Sequence, residues 1–275
     1  MVLKHFVTGP AYTDKPERLW YTAPMTEFQW TEFQNLRHTY KSYVDELSRA
    51  LPQLPELLSE LIGGRSGPSY PLETPVVYNR ALDTVQQTST IKIILVADNP
   101  GRREQTAVER RYLVGPSGKL AEGFFRQHPE LGIDFRQHVL ILNKTPIHTP
   151  RTVELRDLAR LGGSEIAEGI RSSQVNMARF IYRCHEIFAG EAELWIIGYS
   201  EMGRGKLFES FTEALRQAYL TEAENSISRQ RVYLYRHFSM NQFAIDFSQQ
   251  RSAGESTAET LHRIGSHYRQ RILGW

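Results

Sequence analysis

Three apolar runs in this sequence end in side chains that can do chemistry: residues 91–97 lead into Asp98 and Asn99, residues 139–142 into Asn143, and residues 231–235 towards His237. Together they offer a carboxylate, two carboxamides and an imidazole. A carboxylate or amide oxygen can orient a water molecule. An amide presents one acceptor and two donors, and an imidazole N–H can stabilise negative charge on a departing group. Asn99 is neutral, so it can place a water but cannot act as a strong base. The set suits a hydrolysis in which water attacks one side of a bond and the leaving group carries charge away.

These groups act together only if the chain brings the run ends to one place. A β-branched apolar run bounded by turn residues reads as an interior strand. Pro100 forces Asn99 towards an extended conformation and Gly101 permits a tight turn, so Asp98 and Asn99 are expected at a strand's carboxyl end. Residues 139–142, 194–197 and 231–235 read as three more strands, and residues 76–78 as a short one. Helical stretches are expected at 51–62, 206–219 and 261–273, with a helix starting at Lys119. Strands alternating with helices imply an α/β fold with a largely parallel sheet and helices on both faces, where ligands bind at the carboxyl ends of the strands. The long polar segment 102–118 beside the first such end has the character of a functional loop.

The 275 residues, 40% of them hydrophobic, suffice for a sizeable core. The expected organisation is a single domain over 1–275, with residues 1–67 a helical extension packed on it through an aromatic stripe that includes Trp20, Trp30, Phe33 and Tyr40. A net charge of +2 from 33 basic and 31 acidic residues does not announce a nucleic-acid binder, so the distribution of charge matters more than its balance. The single cysteine, Cys184, excludes an intramolecular disulfide and a thiolate-rich cluster. The nine histidines show no metal-ligand spacing, and no segment reads as a signal peptide or membrane span. The expectation is a cytoplasmic protein with no metal or other cofactor and no membrane partner.

Taken in order, the motifs resemble those of the uracil-DNA glycosylase superfamily. Its first motif, of the form G-x-N-P-G, G-E-A-P-G or G-Q-D-P-Y, is matched by residues 97–101, and its F-V-G-x-x-G by residues 113–118. A strand ending in asparagine before a lysine- and proline-bearing loop is matched by residues 142–146, and the last motif, H-P-S-P or a variant, by residues 237–241. The resemblance spans roughly residues 76–241. It implies a three-layer α/β/α sandwich with a central four-stranded, mainly parallel sheet. It also implies hydrolysis of the N-glycosidic bond of uracil or another deaminated or damaged base in DNA, after the nucleotide is flipped out.

Each residue acquires a role by that resemblance. Asn99 positions the attacking water, and Asp98, where one branch has glutamate, orients water or stabilises the cationic sugar. Asn143 reads the paired carbonyl and N–H of uracil, and His237 donates to the departing base. Gly115, Ser117, Gly118, Lys119, Ser239 and Asn241 grip the DNA backbone with help from Arg102, Arg103, Arg110 and Arg111, whose charge Glu104 and Glu109 partly cancel. Met240 is placed to enter the vacated base stack. Leu113 stands where the family has a base-stacking phenylalanine, so stacking is either lost or moved to Tyr112, and Leu113 and Tyr112 complete the expected base-binding set with Asn143. Ala97 replaces the motif's first glycine, and Phe238 and Met240 replace two prolines, which describes a divergent branch without its iron–sulfur cysteines.

Two other functions fit parts of the sequence. A domain of the same kind could bind a base or nucleic acid without cleaving it. A serine hydrolase could use Ser200, which follows a strand in Gly198-Tyr199-Ser200-Glu201-Met202-Gly203, although Met202 replaces the second glycine of a nucleophile elbow. Residues 115–120 also fall short of a phosphate-binding P-loop, lacking its first glycine and the hydroxyl after lysine.

Overall fold

The computed structural model describes residues 24–64, 69–188, 190–220 and 227–275. Trp20 and residues 65–67 of the expected amino-terminal extension lie outside them. Strands β1 (Ile93–Ala97), β2 (Val139–Asn143), β3 (Glu193–Ile197) and β4 (Val232–Tyr235) form one sheet in the order β2-β1-β3-β4, and every pairing is parallel. Every strand residue is buried, because helices cover both faces. That is why the runs are apolar throughout rather than alternating. Asn143 is the last residue of β2, paired with Ala97, rather than the first residue beyond it. Residues 76–78 contribute an isolated antiparallel bridge, Val76 with Ile147.

The helices are α1 (Glu27–Ala50), α2 (Leu54–Gly63), α3 (Pro116–Gln127), α4 (Glu154–Leu161), α5 (Gly163–Phe188), α6 (Glu209–Tyr219), α7 (Ile227–Gln230), α8 (Gln242–Gln250) and α9 (Thr257–Leu273). Helix α3 starts at Pro116, three residues before the expected Lys119, because proline fits the first helical position, where its missing N–H costs nothing. Thr26 and Gln29 form a reciprocal capping box that starts α1.

Two helical layers enclose the sheet. On one face α1 packs on α5 through Phe33 against Phe188 and Tyr40 against Phe180, with ring centroids 5.9 and 5.4 Å apart. On the other, Trp195 of β3 stacks on Phe125 of α3 at 5.7 Å and on Phe243 of α8 at 6.2 Å. Helix α9 lies on β4 at Gly265, where a Cβ would stand 2.6 Å from Tyr233 and 2.8 Å from the Tyr235 hydroxyl. The result is an α/β/α sandwich with α1 and α2 inside the same hydrophobic core as the sheet. Among the described residues no helix is long and apolar enough to cross a membrane.

Trp195 carries the contact between β3 and the α3–α8 layer and is only 1% exposed. Trp195→Ala is expected to lower unfolding stability by about 3–5 kcal/mol, measured as a shift in the urea midpoint at unchanged slope.

Candidate active site at the carboxyl end of the sheet

An all-parallel sheet delivers all its strand ends to one edge. Beyond β1 the chain places Asp98, at the end of β2 Asn143, after β3 Gly198 and two residues after β4 His237. The Gly198 N–H donates to Tyr235 O at 2.9 Å, holding the ends of β3 and β4 level.

Lys144 ties the other ends together. Its backbone N–H reaches Ala97 O and Asp98 O at 2.9 and 3.0 Å. Its Nζ donates to Asp98 Oδ1 at 2.5 Å and to Ile197 O at 2.6 Å, and lies 4.9 Å from the centroid of the Phe208 ring. The Lys144 side chain is fully buried, and that burial lowers its pKa against the opposing pull of Asp98. Gly198 makes room for the pair. Its φ is +81°, and a Cβ there would stand 2.6 Å from Asp98 Oδ1.

Asn99 is anchored through its amide nitrogen, which donates to Thr149 Oγ1 at 2.9 Å and to Ile147 O at 3.3 Å. Thr149 Oγ1 spends its own proton on Arg151 O, so it must accept from Asn99. The orientation of the amide is thereby fixed, with Oδ1 left as the group that can accept from a ligand. Next to it, His148 donates from Nδ1 to Pro100 O at 2.8 Å and accepts on Nε2 from the Tyr70 hydroxyl at 2.9 Å. Burial pushes the pKa of His148 down to about 4, so the ring is a neutral brace.

The third support is Glu104. It accepts from the Gly101 N–H at 3.2 Å and also from the N–H groups of Leu113 and Val114, which joins the 98–101 turn to the loop before α3. Glu104 is 7% exposed, and burial pushes its carboxyl up to about 7 despite those three donors. It is therefore no surface charge cancelling the arginines of the 102–118 segment. Arg103 does pair with Glu109 at 2.9 Å, whereas Arg102 lies 4.7 Å over the Tyr70 ring.

Asn143 differs from all of these. It is 1% exposed, and neither its Oδ1 nor its Nδ2 has a hydrogen-bond partner. Leaving such groups unpaired inside a protein costs about 1–3 kcal/mol each, which singles Asn143 out as the candidate ligand-reading group at this edge. His237 is half-buried. Its Nδ1 accepts from the Ser239 N–H at 3.0 Å and meets Ser239 Oγ at 2.8 Å, which puts the proton of the neutral ring on Nε2. Burial lowers its pKa, with Asp98 raising and Lys144 lowering it further, so all three share one electrostatic environment.

Not every expected residue joins this group. Tyr112 is buried with its hydroxyl donating to Val77 O at 2.5 Å and bonded to the Tyr40 hydroxyl at 2.8 Å. It is a core residue tying α1 to the 76–79 segment, not a stacking face. Leu113, 3% exposed and at φ +51°, has no free face for a base either, and its carbonyl accepts from Arg136 at 2.8 Å. Gly118 sits so close behind it that a Cβ would collide with the Leu113 carbonyl. Gly115 caps α3 without a side-chain hydrogen bond, Ser117 is half-buried and Lys119 is exposed. The turn Ser239–Asn241 packs against α3, which makes neighbours of the two segments expected to grip DNA. Met240 is 83% exposed, and Met240 and Asn241 both have left-handed backbones, at φ +52° and +57°. Ser200 lies exposed in the turn Tyr199–Glu201, and among the described residues no histidine is hydrogen-bonded to it. Among the described residues no cluster of three or more His, Cys, Asp or Glu side chains is arranged to hold a metal ion.

Lys144, His148 and Glu104 are the residues that sequence reasoning missed. For Lys144 the available signal was its place immediately after Asn143, and for Glu104 its spacing three residues after Gly101.

Removing the Lys144 charge leaves Asp98 buried without its partner. Lys144→Met is expected to cost about 3–5 kcal/mol in equilibrium unfolding, and Lys144→Met combined with Asp98→Leu clearly less than that. Glu104 gives a second expectation. Folding raises its pKa, so the folded state keeps a proton that the unfolded chain has released. That contribution is complete below the ordinary carboxyl pKa of 4.5 and is lost as pH rises through about 7. Chemical denaturation across this window should show stability falling with pH, and Glu104→Gln should flatten that dependence.

No protein-family model, curated protein or solved structure matches this chain, so the geometry of its own residues carries the functional reading.

Proposed function

We propose that this protein is a DNA N-glycosylase that hydrolyses the bond between deoxyribose and uracil or another deaminated or damaged base. The observation that carries the reading is the buried, unpaired Asn143 amide at the same sheet edge as Asp98, Asn99 and a neutral His237. Uracil offers an N–H and a carbonyl side by side, and an amide Oδ1 and Nδ2 complement that pair. A flipped-out nucleotide would bring this edge to Asn143.

Cleavage develops positive charge on the sugar and negative charge on the base. The Asp98 carboxylate, held by Lys144, supplies fixed negative charge for the sugar. Asn99 Oδ1 or Asp98 accepts from the attacking water, and Nε2–H of His237 donates to the carbonyl that gathers charge as the bond breaks. Outside this edge, the backbone N–H groups at the start of α3 and the adjacent Ser239–Asn241 turn suit phosphate contacts. Met240 is the exposed apolar side chain available to fill the gap in the stack. The setting proposed for this reaction is repair of damaged DNA, in the cytoplasm. A second reading draws on one observation: Lys144 already neutralises Asp98, which suits a module that binds a base without cleaving it.

The two readings separate in one assay. Single- and double-stranded oligonucleotides carrying uracil, hypoxanthine, xanthine or alkylated bases are incubated with the protein and abasic sites are cleaved with alkali. Excision that falls by about 10²–10⁴ in Asn99→Ala or Asp98→Ala, with base preference altered in Asn143→Asp, is the expected result. Binding without any abasic product selects the module. Because burial lowers the His237 pKa, the excision rate should show no step at the ordinary imidazole pKa of 6.5 and stay level above it.

A further inference from the structure

Away from the strand ends, a cavity of about 490 Å³ opens along the outer edge of β2, between that strand and residues 79–91. Its size is that of a site for a small organic ligand. The strand edge is incompletely covered there: Asn79 Nδ2 caps Ile141 O at 2.8 Å, after which the chain turns away into the segment 80–91. The lining is polar and contains no carboxylate. It includes Arg111, Arg136, His138, Thr88 and Thr90.

The lining residues carry two arginines and no carboxylate, with Glu122 outside the lining pairing Arg136. Arg111 is exposed and makes no ion pair or hydrogen bond among the described residues. Arg136 is half-buried, held by Leu113 O at 2.8 Å and by Glu122 at 3.5 Å. Burial lowers its pKa, and repulsion from Arg111 lowers it further although Glu122 and Glu104 pull the other way. His138 Nδ1 accepts from the Asp134 N–H at 3.0 Å, so its neutral ring carries a donor on Nε2. Two arginines thus line one cavity beside further donors, and an anion bound between them would pair with both. A phosphate with two negative charges and three accepting oxygens fits two guanidiniums better than a carboxylate does.

We infer that this edge cavity is a binding site for a phosphomonoester of nucleotide size, with the phosphate between Arg111 and Arg136 and the organic part along the β2 edge. The site is separate from Asn143 and His237 and does not depend on the reaction they carry out. The same chemistry is offered by a free nucleotide and by the 5′-phosphate end of a nucleic-acid strand.

Isothermal titration of the full chain with deoxyadenosine 5′-monophosphate, with deoxyadenosine and with a short oligonucleotide bearing either a 5′-phosphate or a 5′-hydroxyl tests this. The monophosphate should bind where the nucleoside does not, and Arg111→Gln, a surface change that leaves the core intact, should weaken it by about tenfold or more. The free nucleotide is the source if the phosphorylated strand fails to compete with it. The strand end is the source if the phosphorylated strand binds more tightly than both the nucleotide and the 5′-hydroxyl strand. Equal binding of nucleotide and nucleoside, unchanged affinity in Arg111→Gln, or no heat with any of the four probes overturns the assignment.

Discussion

The Lys144–Asp98 ion pair is the interaction on which the carboxyl edge of this sheet depends. It lies where three strands end: Lys144 follows β2, Asp98 follows β1, and the second acceptor of the ammonium is Ile197 O at the end of β3. A buried charge pair is a poor source of net stability, since desolvation of both ions offsets most of their attraction. What it provides is position. Three backbone segments converge on one ammonium group, and a shift in any of them would leave a charge or a carbonyl without its partner. Gly198 belongs to the same arrangement, because a side chain there would occupy the space of the carboxylate.

Around that centre the loops are cross-braced by groups that are themselves satisfied. His148 holds Pro100, Asn99 holds Thr149 and Ile147, and Glu104 holds Gly101 together with Leu113 and Val114. The first two braces join the turn after β1 to residues 147–149, and the third joins it to the loop before α3. The turn is therefore fixed by side chains rather than by its own short backbone, which suits a site that must hold its geometry before anything binds.

Much of this edge was legible in the sequence, and the reasons are local. Buried parallel strands need apolar residues on both faces, so residues 93–97, 139–143, 193–197 and 232–235 stand out as runs. The polar side chains at or just beyond three of these ends, Asp98, Asn143 and His237, had to lie at the sheet's end if the strands were parallel. What the sequence hid depends on distant partners. Glu104 sits among arginines and looks solvated, yet it faces N–H groups nine and ten residues later in the chain. Tyr112 looked available beside the glycine-rich loop, but its hydroxyl is claimed by Tyr40, 72 residues away. Lys144 looked like a loop cation, since its carboxylate lies 46 residues upstream. The long helix α5 has a mixed surface, because it packs against α1, α4, α6 and β1 at once, and no single apolar stripe announces it.

The solitary Asn143 amide has a consequence for selectivity. In the proposed role of reading a base, its desolvation is complete in the folded protein before any ligand arrives, so that cost would be common to every ligand and would not discriminate among them. Discrimination arises from the complex that fails to repair it: a ligand without a donor and an acceptor side by side would seal two polar atoms against apolar surface. On the proposed function, such an edge would reject wrong ligands more sharply than it attracts right ones, giving high selectivity at modest affinity for the correct ligand.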